Sequence, residues 1–499
     1  MLLDYQRLYD FKCTRTGVKC EYPAARRPYG SGRATDAGGG EATVKDTNAP
    51  LFPDEFFLDR EYFHPITHAD EPRVSPIPVE ILLRLGDDYA TICDAFFASV
   101  DIWFPFINER RLRRRCTIDL PLRDPTVALL LLCMKLIIEV PASGTSASAS
   151  LLYREAKAYL QVTESDFPTS LRVLQALVLI ALYEMGHGIF PAAYLTIGRA
   201  ARMSVLRGVH DRNNATQLFQ TPSTWTDWEE ERRTWWATLI LERHVNLGPK
   251  GLYLATPGPG YNALLPTSDN TWRRGGIGVN PALYLGSFPR EVELGPFARA
   301  CQASHMLGRL ISHRDAHYEG QDRLDRLKEA IHLHSALMAL DSYLSSATNL
   351  QQADVESPML DLVLCTSARH VLYHIYACNE PDNNNSSNNT IQERHQEETI
   401  LQATCIEGVG NSISTRARVL AKHILLHQSR SELAARLNPL AAQIIYDAAS
   451  ETQWLIGEGE PLFEEIDVVY NELVEALGIL AQRWQVAGKY LELLERQRV

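Results

Sequence analysis

Apolar and polar positions along this chain recur with the period of helices. Val127 to Val140 is apolar but for Lys135 and Glu139, and Asp124-Pro125 ahead of it supplies an N-cap and a first-turn proline; a buried helix is predicted there. Ser170 precedes LRVLQALVLIALYEMG, which is apolar nearly all round and so belongs at the centre of a fold. Pro191 opens AAYLTIGRAARMSVLRG, with Tyr194, Ile197, Ala201 and Val205 predicted on one face, Arg199, Arg202 and Arg207 displaced from it, and Gly208 as a stop. Thr226 and Glu229 form a capping-box pattern before WEEERRTWWATLILER. That reading puts Glu229, Glu230 and Glu231 in the first turn, where the helix dipole favours carboxylates. Glu229 also reaches Arg232 and Arg233 at i+3 and i+4. Further helices are predicted at 296–314, 322–347, 355–378, 396–427, 430–448 and 462–486. No run of alternating residues bounded by turn signals suggests strands, and the helices are too irregular in period for a solenoid, so the expected class is all-α.

Two stretches break this pattern. Residues 24–50 are rich in Gly, Ala and Pro and are expected to be a flexible linker; the segment at 379–393 is an Asn/Ser tract that cannot bury a core. The 499 residues are 45% hydrophobic, ample for large cores, and the formal charge of −12 excludes a body that binds polyanions generally. Nucleic-acid contact would need a local basic segment. Nine cysteines are too sparse for a disulfide scaffold. Cys93, Cys116, Cys133, Cys301, Cys365, Cys378 and Cys405 mostly sit among apolar residues, as small buried hydrophobes do, which makes a reduced intracellular setting the default. The first residues lack the cationic and apolar regions of a secretory signal, and no apolar run is long enough to span a bilayer, so no membrane partner is expected.

Three blocks carry a resemblance. In GRAARMSVLRGVHDR, residues 198–212, the telling positions are Gly198, Ala200, Arg202, Gly208 and His210. In WEEERRTWWATLILER, residues 228–243, they are the acidic-basic opening, the paired Trp235 and Trp236, and the closing Glu242-Arg243. LLPTSDNTW at 264–272 adds a Leu-Pro, acidic and Trp pattern. Together, in this order, they resemble the fungal-specific transcription-factor domain, the helical middle region of fungal zinc-cluster regulators, over roughly residues 80–350. Upstream, Cys13 and Cys20 are similar to the last two positions of that family's C-x2-C-x6-C, loop, C-x2-C-x6-C module, although Asp10 stands where another cysteine is expected and the basic first half is not among these residues. A misplaced start or an unspliced intron is the expected cause.

The resemblance implies a remnant of the zinc-cluster module at 1–23, a linker at 24–50, the helical domain at 51–378, an Asn/Ser-rich loop at 379–395 and a C-terminal helical region packing on the domain at 396–499. It implies zinc as cofactor with Cys13 and Cys20 as metal ligands, double-stranded DNA and transcriptional coregulators as partners, homodimer formation, and a nuclear location. Two thiolates alone cannot close a tetrahedral zinc site, so free thiols remain the other reading of this pair. The expected function is regulation of RNA polymerase II transcription. The alternative is a helical adaptor or co-regulator that binds no DNA and acts by protein contacts.

The remaining candidates have plainer readings. Arg110, Arg111, Arg113, Arg114 and Arg115 could serve nuclear import or phosphate contact, but their position predicts a solvated helix face. His64 and His68 flank Pro65 and read as a surface loop. Trp235 and Trp236 could line a small-molecule pocket; at helical spacing with Leu239 and Ile240 they read as core. No G-x-S-x-G elbow, phosphate loop or H-E-x-x-H pair occurs, Gly258-Pro259-Gly260 lacks a dinucleotide-binding context, and Asp87-Asp88 has no second carboxylate cluster, so no enzyme is expected.

Overall fold

A computed structural model describes residues 55–58, 76–86, 89–118, 123–141, 144–211, 222–248, 251–260, 262–283, 294–316, 323–347, 359–377, 396–426, 436–459 and 465–497. The expectations for Cys13, Cys20, the 1–23 remnant, the 24–50 linker, His64, His68, Asp87-Asp88, Cys378 and the 379–395 loop lie outside the described residues.

Within 51–499 the chain is all-α, and among the described residues the sole extended pairing is an isolated antiparallel bridge between Leu264 and Ala282. The helices are α1 (Glu55–Leu58), α2 (Val79–Leu85), α3 (Tyr89–Phe97), α4 (Val100–Trp103), α5 (Glu109–Ile118), α6 (Pro125–Ile138), α7 (Leu151–Asp166), α8 (Leu171–Gly186), α9 (Ala192–Leu206) and α10 (Trp225–Val245). They continue with α11 (Asp269–Arg273), α12 (Pro296–Asp315), α13 (Arg323–Ala347), α14 (Leu360–Tyr376), α15 (Gln396–Asn411), α16 (Arg418–Leu426), α17 (Ala441–Glu458), α18 (Ile466–Ala481) and α19 (Gln485–Gln497). A π-helical turn, Ser412–Ala417, joins α15 to α16.

The predicted central helices are central. Asp124 caps α6 by accepting from the Thr126 and Val127 amides, with Pro125 in the first turn, and α6 is buried along nearly its whole length. Every residue of α8 from Val173 to Gly186 is buried, because α6, α7, α9 and α10 all pack around it. From there α10 packs on α12 and α12 on α14, while α17, α18 and α19 form a second group whose last helix returns to α8. Trp484 makes that return. It is 1% exposed, and its indole N–H donates to the Leu437 carbonyl at 2.9 Å. Gly186 admits the ring, since a Cβ there would stand 2.5 Å from it.

Four local expectations are corrected. Thr224, not Thr226, caps α10, so Glu229, Glu230 and Glu231 lie beyond the first turn and are buried. The buried stripe of α9 runs through Ala193, Thr196, Ile197, Ala200, Ala201, Met203 and Ser204, leaving Tyr194 and Val205 half-buried. Small side chains let α9 approach α8 closely, and that contact outweighs the larger side chains in setting the face. Residues 436–440 of the predicted 430–448 helix are not helical; α17 starts after Pro439, whose ring would break a helix interior. The predicted 462–486 helix ends at Ala481, and α19 follows it, because Trp484 turns into the core between them.

Candidate functional site

The three motif blocks meet at α10. Successive residues on a helix point about 100° apart, so three consecutive glutamates face three different neighbours. The Glu229 carboxylate accepts from Arg233 Nε at 2.9 Å, from Arg232 at 2.7 Å, from the Thr267 amide at 2.9 Å and from Asn280 at 2.7 Å. Glu230 accepts from the Asn108 amide at 3.1 Å, Gln175 at 3.1 Å and Arg111 at 3.0 Å. Glu231 pairs with Arg207 at the end of α9 at 2.6 Å.

Arg233 is fully buried, and each of its guanidinium nitrogens has a partner: Glu229, the Pro105 carbonyl and Asp269 at 3.0 Å, and the Thr267 carbonyl at 2.7 Å. The guanidinium also stacks over Trp272, 4.9 Å from its centre, and Phe297. Asp269, the acidic residue of the third block, in turn accepts from the Phe297 amide at 3.0 Å. Around Glu229, Glu230 and Arg233 every charged group is met. This lattice clamps the 265–272 segment and the start of α12 onto α10, and nothing in it is left to bind a ligand.

The other end of α10 differs. Glu242 accepts from the Ala255 amide and the Thr256 hydroxyl, and from the Thr256 amide at 2.9 Å, which holds the loop after the helix. Beside it, Arg243 Nε, His244 Nδ1 and Asn246 Oδ1 are buried without hydrogen-bond partners. Burial pushes the Arg243 guanidinium down to about 10 and the His244 imidazole down to about 4, so His244 is neutral at physiological pH.

Two clefts flank this end. One, of about 390 Å³, is lined by Met185, Tyr194, His244, Leu440, Gln443 and Tyr490, among others. The second, of about 740 Å³, includes Tyr194, Gly198, Arg202, Glu242, Asn246 and Tyr253. Apolar walls with a few convergent polar groups, at this size, suit a small organic molecule.

Sequence-predicted residues fall on both sides of this division. Trp235 and Trp236 are core, and the Trp236 indole donates to the Leu264 carbonyl at 3.0 Å. Gly198 and Arg202 of the first block line the larger cleft. In the arginine cluster, Arg110, Arg114 and Arg115 are exposed, while Arg111 pairs with Glu230 and Asp227, and Arg113 with Glu109 and Asp94. Gly258-Pro259-Gly260 is loop. Cys93, Cys116, Cys133, Cys301, Cys365 and Cys405 are free and buried. Tyr194 is predicted only to share a helix face with Ile197, Ala201 and Val205, and Gln443 and Tyr490 carry no local signal, because the cleft joins segments far apart in the chain. No helix among the described residues is long and apolar enough to cross a membrane.

Comparison with known proteins bears on the same segment. Residues 93–248 match the family described as "Fungal specific transcription factor domain". Transcription factor BOA15 of Botryotinia fuckeliana is 36% identical over 178 residues, 36% of this chain and 98% of that protein. The depudecin biosynthesis cluster-specific transcription activator DEP6 of Alternaria brassicicola is 27% identical over 45% of this chain and 37% of its own length. The pigment biosynthesis transcriptional activator pigB of Monascus ruber is 30% identical over 30% of this chain and 29% of its own. The match thus spans well under half the length of the last two. No solved structure matches the chain.

Proposed function

This chain belongs to the fungal-specific transcription factor domain family, and from that premise we propose that it is a nuclear regulator of RNA polymerase II transcription whose helical body responds to a small, largely apolar effector. The supporting observation is the pair of clefts at the end of α10, inside the family-matched segment, with buried polar atoms left unpartnered beside them. Part of the smaller cleft is walled by Leu440, Gln443 and Tyr490, from the second group of helices. An effector seated there would favour whichever arrangement of the two groups it contacts more, and it shifts activity only by its difference in affinity for the two.

In this reading Cys13 and Cys20 belong to a zinc-cluster module that reads double-stranded DNA, the chain acts as a homodimer, and coregulators dock on the helical body. Two relatives are named as activators of depudecin and pigment biosynthesis, and we take a set of biosynthetic genes as the target class. Chromatin immunoprecipitation of the tagged full-length protein, paired with transcript profiling of a deletion strain, tests this. Expected is occupancy upstream of the genes whose transcripts change. Transcript changes without promoter occupancy would instead favour the second reading, an adaptor acting through protein contacts.

A further inference from the structure

His370 and His374 lie one turn apart on α14, and Asp447 and Glu451 lie one turn apart on α17, which packs against it. Spacings of i, i+4 put each pair on one helix face, and here the two faces meet. The His374 Nε2 atom is 2.7 Å from His370 Nε2 and 2.9 Å from Glu451 Oε1, while Asp447 Oδ2 stands 3.8 Å from His370 Nε2. One ligand atom from each of His370, His374 and Glu451 falls within a sphere where all lie inside 4.8 Å of one another.

A hydrogen-bond account of this cluster is strained. Two ring nitrogens and a carboxylate oxygen converge on one point, so a proton on His374 Nε2 is divided between two acceptors, His370 and Glu451. The second carboxylate oxygen of Glu451 is buried with no hydrogen-bond partner. A divalent cation resolves both problems. Tetrahedral zinc with bonds of about 2.0–2.2 Å holds its donors roughly 3.3 Å apart. The observed separations fall on either side of that value, so modest side-chain rotations would suffice. His374, 56% exposed, provides a route of entry.

We propose that His370, His374 and Glu451 ligate a transition-metal ion of the zinc class, with Asp447, on the same side of the His370 ring, as fourth ligand. Imidazole with carboxylate suits zinc and its neighbours better than magnesium or calcium. The ion would join α14 to α17 and so pin the first group of helices to the second.

The test uses the full-length chain carrying Cys13→Ser and Cys20→Ser, stripped with chelator and titrated with zinc alone. Expected is one tightly bound equivalent, a zinc-dependent rise in melting temperature, and, with cobalt(II) substituted, the visible absorption of a tetrahedral site. His374→Ala should abolish all three while leaving the helical circular dichroism unchanged. Glu451→Gln serves as a second variant should the first fold poorly, and should weaken zinc binding at least about tenfold. Equal zinc uptake by the parent and a folded variant, or none by the parent, would overturn the proposal.

Discussion

The two ends of α10 carry similar side chains and put them to opposite use. At the N-terminal end Glu229, Glu230 and Arg233 are buried, and their charged groups are met by carbonyls, amides and opposite charges from other segments. At the C-terminal end Glu242 is well met, yet Arg243, His244 and Asn246 each keep a buried polar atom with no partner; His244 lines one cleft and Glu242 and Asn246 the other, while Arg243 Nε faces Gly308 of α12. Burying an unmet polar group costs roughly 1–3 kcal/mol, so a packed core retains few of them without a reason. The lesson is that a charged motif read from the sequence does not reveal which of its groups the fold will meet.

The largest expected effect breaks the satisfied end. Arg233→Ala leaves Glu229 and Asp269 buried against each other's charge and should cost about 3–5 kcal/mol in urea or guanidinium unfolding. Arg243→Ala should cost less, about 1–3 kcal/mol by the same measurement, because Glu242 keeps its donors from Ala255 and Thr256. Equal losses at the two positions would erase the distinction drawn between them.

A finer probe is pH. His187 and His244 are pushed down to about 3 and about 4 by burial, well under an ordinary histidine. The unfolded chain therefore takes up protons below about pH 6.5 that the folded chain refuses until near pH 4, so stability is full above that window and falls as pH drops through it. His244→Leu should make this acid limb shallower by about one proton, read as the slope of unfolding free energy against pH, and should also alter any effector response. An unchanged slope would mean that His244 is more accessible than its buried position implies. Smallest is Arg111→Ala. Its side chain is 46% exposed, so despite two ion pairs it should change stability by no more than about 1 kcal/mol, a bound that calorimetry can check.

Much of the fold was legible because helix signals are local. Asp124-Pro125 capped its helix as read, the helix after Ser170 lies at the centre, and Trp235 and Trp236 are core. The misreadings came where a distant partner decided the outcome. The three glutamates looked like dipole carboxylates because the cap was set two residues late, and nothing nearby announced Thr267, Asn108 or Gln175 as their partners. Trp484 ended a helix that its own neighbours would have continued. His370 and His374 did have a signal, the i, i+4 spacing, but its meaning depends on Asp447 and Glu451 more than seventy residues away.

By itself the sequence determined the all-α class, the positions of the central helices and the family resemblance, since periodicity, caps and motif blocks are written in adjacent residues. Only the tertiary structure decided which charges are satisfied, which face of α9 is buried, and which side chains share a cleft or a cluster of metal-binding type. Those outcomes depend on the partner that arrives from elsewhere in the chain, and burial turns the presence or absence of that partner into several kcal/mol.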